Sequence, residues 1–98
     1  VRNTIIDFEY GKVEGELTGP LKLPFIHFTS YKWSKTAYLT SLDAWSYILT
    51  QFKEYGYKEV FSCISDDDEK LLKYCAMFGF KPLYHDDNKF IMVCPTGG

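Results

Sequence analysis

The stretch EVFSCIS, from Glu59 to Ser65, constrains this chain more than any other. Val60, Phe61, Cys63 and Ile64 make it apolar toward both sides of an extended backbone, so the alternation of a strand with one wet face is missing. Such a strand asks for cover on both faces. It follows a segment of different period, in which Leu39, Leu42, Trp45, Leu49 and Phe52 recur at spacings of three and four. That is the stripe of an amphipathic helix, from roughly Lys35 to Tyr55, with Gly56 placed to end it. A long helix feeding a buried strand reads as a crossover between parallel neighbours.

The flanking segments supply the rest of a sheet. IIDFEY alternates, with Ile6, Phe8 and Tyr10 on one face and Ile5, Asp7 and Glu9 on the other, and Gly11-Lys12 reads as a two-residue hairpin turn. Val13, Gly15 and Leu17 alternate with Glu14 and Glu16 in a second strand, which Thr18-Gly19-Pro20 breaks. LPFIHFTS, Leu23 to Ser30, is a third, with Pro24 confined to its start because proline has no N–H for a ladder. After the buried strand, Ser65 or Asp66 offers a helix N-cap, the acidic residues to Glu69 suit the positive end of a helix dipole, and Leu71, Leu72, Cys75 and Phe78 form a second stripe. Gly79 closes that helix. Phe80 to His85 and Lys89 to Cys94 then form a hairpin around Asp86-Asp87-Asn88. The expected fold class is α+β, a mixed sheet with two helices in the order β-β-β-α-β-α-β-β.

Ninety-eight residues, 46% hydrophobic and 18% aromatic, make one domain over residues 1–94 with a core that needs no disulfide or metal, and residues 95–98 read as a tail. A net charge of −2 gives no overall electrostatic reason for a nucleic-acid partner. No run approaches the ~18–20 apolar residues of a membrane span, and no leader pattern opens the chain. Cys63, Cys75 and Cys94 form an odd set without a CxxC, so reduced thiols in a cytoplasmic protein are expected, and no metal site.

The stretch DDDEKLLKYCAMFGF, after the helix and strand just described, resembles the second conserved helix of the GNAT (Gcn5-related N-acetyltransferase) superfamily, N-x-x-A-x-x-x-Y-x-x-x-GF. The resemblance covers roughly Val13 to Cys94 and leaves no room for the N-terminal strand and two helices of a full GNAT domain. More narrowly, FIHFTSYKW followed by that helix is similar to small GNAT-like proteins of tailed phages, including a podovirus internal virion protein.

The resemblance implies an acetyl-CoA site and names its positions. A loop Q/R-x-x-G-x-G/A would aim backbone amides at the pyrophosphate, at a helix N-terminus. Here it reads K-W-S-K-T-A: Lys32, Ser34, Lys35, Thr36 and Ala37 are the candidate cofactor-binding residues, with Lys35 where the first glycine belongs and only Ala37 in pattern. Two lysines can still attract phosphate as point charges. On the second helix the family's asparagine falls on Asp68, its alanine on Leu71, and its thiolate-protonating tyrosine on Cys75, with Tyr74 one residue early. One residue is a ~100° turn of a helix, so Tyr74 and Cys75 point differently. Packing on the sheet is the plainer reading of Cys75.

Glu14 and Glu16 offer a general base through water, or merely a solvated face; His27 reads as a satisfied core or edge histidine and His85 as exposed. Two functions follow. In the first, the CoA loop has decayed and the domain binds a protein or itself, in virion assembly or against a host factor, through Tyr31, Trp33, Tyr38 and Tyr55 or through unpaired strand edges. In the second, the chain is an acetyl-CoA-dependent N-acetyltransferase with an atypical loop and Tyr74 or Cys75 as acid.

Overall fold

The computed structural model of the chain describes residues 2–32 and 34–97. Its elements run β1 (Asn3–Phe8), β2 (Gly11–Thr18), β3 (Leu23–Ser30), α1 (Lys35–Glu54), β4 (Glu59–Ser65), α2 (Glu69–Met77), β5 (Lys81–Asp86) and β6 (Lys89–Pro95). The expected α+β order stands. The six strands form one mixed sheet in the order β1-β2-β3-β4-β6-β5, antiparallel except where β3 lies beside β4.

The first hairpin turns earlier than the sequence suggests. Phe8 pairs with Gly11, so Glu9-Tyr10 is the turn and Gly11 already belongs to β2. Gly11 is required for another reason: a Cβ there would lie 2.7 Å from the Thr29 carbonyl oxygen of β3. A bulge between Thr4 and Ile6 also breaks the simple alternation of β1 and sets Ile5 against Gly15.

Both helices end in the same way. Gly56 and Gly79 have φ of +91° and +101°, which L side chains avoid. At each, the next residue's N–H reaches back across the last turn, Tyr57 to the Phe52 carbonyl and Phe80 to the Cys75 carbonyl, while the glycine N–H bonds Lys53 or Ala76. These are Schellman closures, and the Phe52 and Tyr57 rings, 5.8 Å apart, make the apolar contact that accompanies one of them. At its start α2 is capped by Asp68, which accepts from the Leu71 N–H at 3.2 Å, rather than by Ser65 or Asp66.

The core lies on one face of the sheet. Val13, Ile26, Val60, Ile64, Met92 and Cys94 meet Trp45 and Ile48 of α1, Tyr74 and Cys75 of α2, and Phe78 and Phe80 of the following joint. The expected α1 stripe faces the core at Leu42, Trp45, Leu49 and Phe52, joined by Ala37 and Ile48, whereas Leu39 is exposed. β4 is covered on this face only. Phe61 and Cys63, on its other side, stay half-buried with no helix over them, which corrects the expectation of two covered faces. Beyond the expected end of the domain, Thr96 is buried, its N–H bonded to the Lys58 carbonyl and its hydroxyl to that of Tyr57.

Candidate functional site

The parallel neighbours β3 and β4 are bridged in register at Phe25 and Phe61. A side chain adds to the backbone pairing: the Ser62 hydroxyl donates to the Ile26 carbonyl at 2.8 Å, both residues being buried. On the helix side the space beneath β3 is filled with the chain's own rings. Phe28 meets Trp45, Phe78 and Phe80 with centroids 5.4, 6.1 and 5.8 Å apart, and Tyr38 stacks on Phe78 at 5.7 Å. Each such pair adds about 0.5–1.5 kcal/mol beyond the area it buries. The Trp45 indole N–H donates to the Phe78 carbonyl at 3.1 Å and so ties α1 to the end of α2.

A cavity of about 30 Å³ remains between the first hairpin, the end of β3 and the two helices, lined by Tyr10, Lys12, Ser30, Ser41, Leu71 and Tyr74 among others. That volume holds one or two waters. Tyr74 lines it and also lines a more open hollow of about 190 Å³ with Lys70, Lys73 and Met77; Cys75 lines neither. Cys75 is fully buried, and burial, with the Asp68 charge and Cys94 adding to it, pushes its thiol up to about 12. Of the two candidate acids, only Tyr74 borders open space.

At the loop from β3 to α1, Lys32, Ser34, Lys35 and Thr36 are exposed and Ala37 is buried. Ser34 is the N-cap of α1: its hydroxyl accepts from the Ala37 N–H at 3.0 Å, and its carbonyl accepts from Tyr38. An anion taking the Ala37 amide would have to displace the Ser34 hydroxyl, whereas this cap does not engage the Lys35 and Thr36 amides.

The carboxylates of β2 are engaged. Glu16 bonds His27 Nε2 at 3.0 Å, a bond that holds its carboxyl below the usual range, and Glu14 lies 3.8 Å from Lys12. His85 is exposed, as expected, and bonds Asp66 at 2.9 Å while stacking on Phe90. Among the described residues no group of His, Cys, Asp and Glu could hold a metal ion, and no helix is long and apolar enough to cross a membrane.

Tyr55 is exposed at the end of α1, and Tyr31 is exposed with its hydroxyl bonded to Asp7 at 3.0 Å. Tyr38 is half-buried, its ring stacked among the core rings and its hydroxyl donating to the Met77 carbonyl at 3.5 Å, and Trp33 lies outside the described residues. Ser62 and Asp68 carry structural work that the sequence reading did not give them.

No protein-family model and no curated protein matches the chain. Solved structures do. A domain from Methanocaldococcus jannaschii superposes over 88% of this chain and 56% of its own length, at 22% identity and a TM-score of 0.66. A protein of Bordetella pertussis assigned to the GNAT-family acetyltransferases matches over 87% and 57%, at 12% identity and 0.63. A chimera of the Vibrio cholerae spermidine N-acetyltransferase SpeG and hSSAT matches over 98% and 66%, at 13% identity and 0.67. At these identities the likeness is one of fold: the chain has a partial GNAT-like topology and spans between about half and two thirds of these structures.

Proposed function

We propose that the chain is a GNAT-like domain without acetyltransfer activity, working by protein binding, in the assembly of a tailed-phage virion or against a factor in the host cytoplasm. One observation carries this reading: Ser34 occupies the Ala37 amide at the helix end where a pyrophosphate would sit. Lys35 stands at a glycine position of the same loop, where its side chain would crowd a diphosphate. Two further features agree. The cavity between the first hairpin and the helices, about 30 Å³, has no room for an acyl chain, and Cys75, in the tyrosine position, is buried and holds its proton too tightly to serve as an acid near neutral pH.

A thermal shift with CoA tests the reading, because a ligand at ~100 times its dissociation constant stabilises a fold by ~2.7 kcal/mol. Melting unchanged up to millimolar CoA is the expected result. A second reading, an N-acetyltransferase with an atypical loop, is favoured by Tyr74 alone, which borders the cavity. A CoA-dependent shift that Lys32→Ala with Lys35→Ala removes would establish that second reading and overturn the first.

A further inference from the structure

Both helices lie on one face of the sheet, and the other face carries a half-buried apolar strip of Phe25, Phe61, Cys63, Ile91 and Val93 that stands apart from the core. Strand register orders the side chains of this face. Glu16 pairs with Phe25, Phe25 with Phe61, Phe61 with Val93, and Val93 with Lys81, which makes one row across five adjacent strands. The Phe25 and Phe61 rings stack at 5.6 Å in that row. It reads acid, ring, ring, aliphatic, lysine, and it complements its own reverse. Turned about an axis along β4, Glu16 falls opposite Lys81, Phe25 opposite Val93, and Phe61 opposite its own copy.

The flanks agree with the row. At the β1–β2 side of this face Asp7, Glu14 and Glu16 outweigh Lys12 and Arg2, whose charge acts on Glu16, and at the β5–β6 side Lys81 and Lys89 outweigh Asp86. An axis along the strands brings unlike flanks together, whereas one across them would bring like flanks together. Sheets packed face to face run nearly aligned, about 10 Å apart, which is the geometry this axis produces.

We propose that this face packs against the same face of a second copy of the chain, about a two-fold axis along β4. The contact is isologous and closes on itself, so it ends at a dimer. It rests on the reading of the chain as a binding domain and names the partner.

Light scattering on the purified chain tests it, with a mass of twice 11.4 kDa expected at micromolar concentration. Phe61→Glu should return the mass to that of one chain with the far-UV circular dichroism unchanged. Lys81→Glu, an exposed edge substitution, should weaken the dimer at least about tenfold, and adding Glu16→Lys should restore it, a rescue that misfolding cannot imitate. Cys63 is the half-buried thiol on this face and the other two are buried, so a short bismaleimide should link two copies, and Cys63→Ser should abolish the link. A monomer up to millimolar concentration overturns the proposal and leaves the face to a different partner or to another segment of a longer chain. So does a dimer indifferent to both Phe61→Glu and Lys81→Glu. Either failure leaves the CoA titration untouched, because that experiment reads the helix end and this one reads the sheet face.

Discussion

The Ser62 hydroxyl meets the Ile26 carbonyl at 2.8 Å, one residue along from the bridge between two parallel strands. The bond ties β4 to β3 beside their pairing at Phe25 and Phe61. A buried carbonyl without this donor is costly, so Ser62→Ala should destabilise the fold by about 1–3 kcal/mol. Urea midpoints of the two proteins, at equal slope, measure it. A change under a few tenths would mean that the strands are held together by the rings beneath them.

Gly79 separates a conformational cost from a steric one. A Cβ there would touch only Cys94 Sγ, at an ordinary 3.5 Å, so Gly79→Ala is penalised for its φ of +101° alone. The expected loss is about 1–2 kcal/mol. Gly11→Ala meets the Thr29 oxygen at 2.7 Å instead, and that oxygen is backbone that cannot swing aside. Overpacking of this kind costs about 1–3 kcal/mol. Hydrogen exchange should show the difference, with Gly11→Ala loosening the β2–β3 amides and Gly79→Ala the end of α2.

The order of elements was legible because the apolar period changes from two to 3.6 between Ser30 and Lys35, and because Gly56 and Gly79 stop helices wherever they stand. What was not legible depends on partners distant in sequence. Gly11 looked like a turn glycine, but its reason is a carbonyl on β3. Ser62 looked like a small residue tolerated in an apolar strand, and nothing local reveals that its hydroxyl answers Ile26. Asp66, Asp67 and Asp68 are equivalent caps until the helix register selects the one three residues before Leu71. Choosing Leu39 rather than Tyr38 for the α1 stripe is a slip of one residue, and ~100° of rotation moved a core ring onto the surface.

Glu16 gives the fold an acid-dependent term. Its hydrogen bond to His27 lowers the carboxyl below the ordinary 4.5, so the unfolded chain binds a proton there more readily than the folded one. The stabilisation is present above pH 4.5 and is lost as the pH falls through the lower folded value. Glu16→Gln should flatten the fall of the thermal midpoint in that range. Equal slopes for the two proteins would show that another group sets it.

Cys75 should act at the alkaline end with the opposite sign. Its thiol titrates at about 12 in the folded chain against an ordinary 9.0, chiefly because burial disfavours the thiolate. The unfolded chain therefore releases this proton first, so stability is whole below pH 9.0 and declines as the pH rises toward the folded value. The gap corresponds to on the order of 4 kcal/mol once both states are deprotonated. Cys75→Ala removes the titrating group and should lower stability at neutral pH while flattening the decline. Urea midpoints from pH 8 to about 11.5 would show the two curves converging as the pH rises. Parallel curves would mean that other groups, such as Cys94 or Tyr31, set the alkaline limit of the fold.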